Sequence, residues 1–141
     1  MPRIDFYHET VKTALVKDGW TITDDPMPLY FEPKNLFIDL GGEKVISVQK
    51  GATKIAIEIK NFLAPSYMNE LEKAVGQYIV YRIILAKDKP DVKLYLSVEK
   101  NAFEQIFSQG IGNAVREHIQ MEIMVFDADK EEIIEWTTEP L

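Results

Sequence analysis

Lys54-Ile55-Ala56-Ile57-Glu58-Ile59-Lys60 joins an apolar run to a carboxylate and an ammonium two residues apart. The isoleucine-rich alternation reads as a β-strand, and in a strand residues i and i+2 share a face. Glu58 and Lys60 therefore project side by side from an otherwise apolar element. Unpaired charge is costly to bury, so such a pair is out of place on an inner face unless it has a chemical role. An acid beside a lysine suits metal-assisted phosphodiester chemistry. The carboxylate holds a divalent cation, and the ammonium steadies a phosphate or polarises the attacking water. Alone, Glu-x-Lys is also the pattern of a plain edge-strand salt pair, so its surroundings decide.

A two-acid metal site needs a second carboxylate, and two lie upstream. If Lys50-Gly51 is a two-residue hairpin turn, Gln49 pairs with Ala52, and Glu43 falls directly opposite Glu58 on the same face. Asp39 then lies four residues further along, roughly 13 Å if the strand is straight. A bend at Gly41-Gly42 brings it back. Asp39 and Glu43 both stay open. Glu9, beside Tyr7 and His8, is a possible third acid. Further on, Gln77 and Tyr81 are four apart and share a helix face, an arrangement suited to positioning water or DNA. His8 reads as a supporting or capping group and His118 as structural. Glu70, Glu72 and Lys73 read as surface charges of a helix.

The elements that must carry these residues follow from periodicity. Apolar positions over 3–18 give a helix closed by Asp18-Gly19. Short strands are expected at 20–23 and 29–31, and a strand at 36–40 that stops at Gly41-Gly42. Val45–Val48 and Ile55–Ile59 form a hairpin. Residues 67–86 carry the longest helical stripe, and Pro90 breaks the chain before a strand at 92–98. One or two helices over 101–119 are interrupted near Gly110-Ile111-Gly112. A buried strand at 121–126 and an edge strand at 133–136 complete the chain. Strands that are first adjacent and then separated by helices imply a mixed sheet with helices on its faces.

A chain of 141 residues without repeats or linkers reads as one α/β domain over 1–141. No apolar run approaches a membrane span, and the N-terminus has no apolar leader core. Zero cysteines and two histidines argue against thiolate or histidine-rich metal sites, and a cytoplasmic location is expected. The net charge of −7 argues against a general nucleic-acid coating protein. Most of it sits in residues 127–141, where six acids face one base, leaving a body close to neutral. DNA binding by such a chain calls for a metal, a partner subunit or both.

Asp39 or Glu43, then Glu58-Ile59-Lys60, then Gln77-x-x-x-Tyr81 resemble the PD-(D/E)xK nuclease superfamily of restriction enzymes, Holliday-junction resolvases and RecB-like nucleases. The resemblance implies a restriction-endonuclease-like mixed central sheet flanked by helices. It also implies Mg²⁺ (or Mn²⁺) on Glu58 and Asp39 or Glu43, with Glu9 joining the metal. Lys60 would act at the phosphate or water, supported by Gln77 and Tyr81. Neither upstream acid follows a proline, since Ile38 and Gly42 precede them. Over nearly the whole chain the sequence is similar to the XisH family of fdxN element excision controlling factors. The segments are His8–Leu15, Asp18–Ile22, Ile38–Gly41, Lys54–Lys60, Gly76–Arg82 and Ile133–Trp136. That likeness implies a role in excising a DNA element during cyanobacterial heterocyst differentiation. DNA, an XisI-like protein and an XisF-like recombinase would be the partners, and analogy with the resolvases implies a homodimer. A regulatory protein that keeps the nuclease fold and acts through those partners is the alternative.

Overall fold

The computed structural model describes residues 6–62 and 66–140. The first helix, α1 (His8–Lys17), leads into β1 (Thr21–Asp24). A two-stranded ribbon of β2 (Met27–Phe31) and β3 (Lys34–Ile38) follows, then the long hairpin β4 (Leu40–Ser47) and β5 (Gly51–Ile59). Helix α2 (Tyr67–Asp88) connects β5 to β6 (Val92–Glu99). A short α3 (Lys100–Ala102) runs into a π-helical stretch over Phe103–Phe107, and α4 (Gly110–Ile119) follows. The chain closes with β7 (Ile123–Asp127) and β8 (Glu132–Trp136). The part of the expected first helix at residues 3–5 lies outside the described residues.

The main sheet has six strands in the order β1-β4-β5-β6-β7-β8. Its centre, β5-β6-β7, is parallel, and the flanking pairs are antiparallel. This is the expected mixed α/β architecture. Parallel strands need long crossovers, and α2 supplies the one between β5 and β6.

Alternation along β5 sets the two faces. Ala56 joins a core with Leu71, Ala74 and Tyr78 of α2, with Leu29 and Ile38 of the ribbon, and with Ile106 and Phe107. Ile55, Ile57 and Ile59 join the other core, with Val11 and Leu15 of α1, Trp20, Tyr95 and Phe126. Since β side chains alternate, Glu58 and Lys60 share the side of Ala56, beneath α2.

Two sequence expectations change here. Gly41-Gly42 does not end a strand; both glycines are buried inside β4. A Cβ on Gly41 would strike Met27 Cε and lie 2.9 Å from Asp24 Oδ2, and one on Gly42 would lie 3.2 Å from the Thr21 carbonyl. The glycines let β4 approach β1 and the ribbon closely, and the break falls at Asp39 instead. The hairpin is also not closed by a two-residue turn. Ser47 pairs with Gly51, three residues lie between them, and Ser47 Oγ accepts from the Lys50 N–H at 2.9 Å.

Candidate active site

The longer turn, with a one-residue irregularity in β4 between Val45 and Ser47, shifts the whole β4–β5 register. Leu40 pairs with Ile57, Gly41 with Ala56 and Glu43 with Lys54. Glu43 is therefore not opposite Glu58, as a two-residue turn would have it. Its partner Lys54 is four residues from Glu58, roughly 13 Å along the strand. The same register carried one step beyond Leu40 sets Asp39 level with Glu58, so of the two upstream acids it is Asp39 that the fold brings to Glu58.

Backbone hydrogen bonds fix that meeting. The Ile59 N–H donates to Asp39 Oδ2 at 2.7 Å, and the Asp39 N–H donates to Glu58 Oε1 at 3.3 Å. Successive strand N–H groups point to opposite edges. The Lys60 N–H bonds the Ser97 carbonyl on β6, at 3.2 Å. The Ile59 N–H must face β4, where the Asp39 carboxylate takes the place of a ladder carbonyl. Asp39 occupies the bend at which the chain leaves the ribbon for the main sheet. Glu58 is only 7% exposed.

Helix α2 covers this corner. Ser66 caps it, its Oγ accepting from the Asn69 N–H at 3.4 Å. Glu70 in the first turn reaches inward, and its Oε2 lies 2.6 Å from Lys60 Nζ. The Lys60 ammonium holds the Glu70 carboxyl below the ordinary carboxylate range. One stretch further on, Gln77 Nε2 donates to Tyr81 Oη at 3.2 Å. Burial pushes the Tyr81 hydroxyl above its ordinary pKa, with smaller contributions from the Glu58 and Asp39 charges, while the Gln77 bond pulls the other way. Tyr81 is thus within electrostatic reach of both carboxylates. Asp39, Glu58, Lys60, Gln77 and Tyr81 form one neighbourhood on the α2 side of the sheet.

Glu9 is placed differently. It lies on α1, whose buried side packs on the opposite face of the sheet. Its carboxylate groups with His8 and Asp25, the one set of three such residues within 4.8 Å among those described. Asp25 there already accepts from Lys12 at 2.8 Å and pairs with His8 at 2.7 Å. Thus Glu9 does not form a three-acid cluster with Asp39 and Glu58. His118 is exposed in the last turn of α4. Arg82, next to Tyr81, donates to the Ile119 and Gln120 carbonyls and so ties α2 to the end of α4.

Glu70 is the residue that periodicity misplaces as a surface charge. An acid near the start of a helix reads as a solvated partner of the helix dipole. Only the tertiary contact with Lys60 shows otherwise.

The donor set suits a hard divalent cation. Mg²⁺ is usually held through one or two carboxylates and keeps much of its water, and Asp39 and Glu58 are two oriented carboxylates on adjacent segments. Among the described residues this corner offers carboxylates and no thiolate or imidazole, a donor set of the kind that suits Mg²⁺ or Mn²⁺ better than zinc.

A mixed sheet with helices on both faces, with a carboxylate pair and a lysine beside the helix that carries the Gln–Tyr pair, defines an α/β fold with a polar corner on the α2 side. The chain belongs to the XisH family, whose model for XisH protein matches residues 1–134. It is similar to the crystal structure of an XisH family protein from Nostoc punctiforme, with 33% identity and a TM-score of 0.86 over 95% of this chain and 100% of that one. It is also similar to an fdxN element excision controlling factor protein from Anabaena variabilis. There the identity is 38% and the TM-score 0.84, over 94% of this chain and 98% of that one. A comparison with curated proteins found no match. No described helix is long and apolar enough to cross a membrane.

Proposed function

We propose that this chain is an excision controlling factor that acts on DNA as a metal-dependent endonuclease of the PD-(D/E)xK type. The observation that carries the reading is the β4–β5 register, which sets Asp39 beside Glu58, two residues before Lys60. Asp39 and Glu58 would hold Mg²⁺ or Mn²⁺. The cation supplies Lewis acidity and an acidified water, which is the main need of phosphodiester hydrolysis. The chain's own residues then supply placement. Asp39 and Glu58 are oriented by backbone N–H groups, Lys60 presents a cation for a phosphate oxygen, and the Gln77–Tyr81 pair offers hydrogen bonds beside the acids. The Anabaena relative's description as an fdxN element excision controlling factor supports DNA excision as the setting. An XisI-like protein, an XisF-like recombinase and a second copy of this chain are the proposed partners.

The acidic balance favours a second reading, in which the fold is kept for regulation and acts through protein partners. Incubation of the protein with supercoiled and branched DNA in Mg²⁺ or Mn²⁺, alone and with the XisI-like partner, separates the two. The nuclease reading expects cutting by wild type that disappears in Glu58→Ala and Lys60→Ala. Uncut DNA under every condition would leave the regulatory reading in its place.

A further inference from the structure

Lys60 and Glu70 are both anchored before they meet. The Lys60 N–H is bonded to Ser97 on β6. Glu70 is fixed in the first turn of α2, where its N–H bonds the Ser66 carbonyl at 3.2 Å. Their side chains are 22% and 15% exposed, and the ion pair between them is 2.6 Å long. Glu72, two residues on, is exposed. A lysine ammonium sits on a flexible four-carbon stem and places itself poorly without a partner. It carries three donors, so one bond to Glu70 leaves two for phosphate oxygens. The Lys60 hydrogen bond holds the Glu70 carboxyl below its ordinary value. Strand alternation puts Lys60 on the Glu58 side of β5, two residues from that acid, and the bridge is partly buried there rather than out on the surface of α2.

We propose that Glu70 is the positioning residue for Lys60, holding its ammonium at the phosphate end of the acid pair. This rests on the nuclease reading above and extends it from the strand to the first turn of the covering helix. Misplacing a catalytic group by about 1 Å can cost on the order of a hundredfold in rate. Loss of Glu70 should therefore lower kcat by about tenfold to a hundredfold and leave KM for DNA nearly unchanged.

The test has a readout that needs no activity. In protein labelled with ¹⁵N-lysine, ammonium protons held in a persistent ion pair exchange slowly enough to be seen. The Lys60 signal is assigned by its loss in Lys60→Gln. It should be present in wild type and in the control Glu72→Gln, absent in Glu70→Gln, and partly kept in Glu70→Asp. Mn²⁺-dependent cleavage of a short duplex should follow the same order in kcat. Glu70→Gln is nearly isosteric, and thermal melts check that it folds; should it not, Glu70→Asp carries the same measurements. An unchanged Lys60 signal in Glu70→Gln overturns the proposal. So does a lost signal with unchanged kcat, which makes the bridge only a staple between α2 and β5. Wild type that shows the ordered ammonium but neither binds nor cuts DNA removes the nuclease reading, and the bridge is again a staple.

Discussion

Replacing Asp39 separates the structural from the chemical use of one carboxylate. Its Oδ2 accepts the Ile59 N–H at 2.7 Å, and Ile59 is only 4% exposed. Asp39→Ala strands that N–H at the end of the β4–β5 ladder. A hydrogen bond to a charged acceptor contributes about 1.5–3 kcal/mol, and an unsatisfied buried donor costs a similar amount. The expected loss is about 2 kcal/mol, roughly 5–10 °C in Tm for a domain of this size. Asp39→Asn keeps an oxygen for the same N–H and removes a negative charge beside Glu58, so its stability should stay within about 1 kcal/mol of wild type. Both variants remove a cation ligand, and both should weaken Mn²⁺ binding by about tenfold or more. Urea unfolding and calorimetric Mn²⁺ titration on the same samples read the two effects. Equal destabilisation in Asn and Ala would refute the hydrogen-bond argument. Wild-type Mn²⁺ affinity in Asp39→Asn would refute the ligand argument.

Two glycines should respond to alanine in opposite directions. A Cβ on buried Gly112 collides with the Ile106 carbonyl, so Gly112→Ala should cost about 1–3 kcal/mol by thermal melt. Gly76 is in the exposed interior of α2 with open space around it, and Gly76→Ala should raise stability by about 0.5–1 kcal/mol. The Lys12 hydrogen bond is the main cause that holds the Asp25 carboxyl below its ordinary pKa, with His8 assisting. A depressed folded pKa contributes stability above the unfolded value near 4 and loses it as pH falls through the folded value. Lys12→Met should therefore lower Tm at neutral pH more than at pH 2–3, and an identical difference at both would contradict the assignment.

Much of this fold is legible in residue order because local rules and tertiary structure agree. The alternation through Ile55, Ile57 and Ile59 marks a strand with Glu58 on the opposite side, and the stripe through Leu71, Ala74 and Tyr78 marks the helix that covers it. The strand at 133–136 does lie at the sheet edge. The register was not legible. Lys50-Gly51 resembles a two-residue turn, yet the Ser47 hydroxyl supports a three-residue one, and that turn together with the irregularity between Val45 and Ser47 exchanges Glu43 for Asp39 as the neighbour of Glu58. Gly41-Gly42 resembles a strand stop, but close packing against Met27 and Thr21 needs glycine inside the strand. The π-helical stretch ahead of Gly110 and the inward turn of Glu70 depend on contacts across the fold, which no local pattern encodes.

The proposed site depends on Asp39 and Glu58 binding one divalent cation together. A crystal of this chain soaked in Mn²⁺ and measured at the manganese absorption edge tests it directly. Anomalous density contacting both carboxylates is the expected result. Density only among His8, Glu9 and Asp25, or none beside Glu58, would contradict the account.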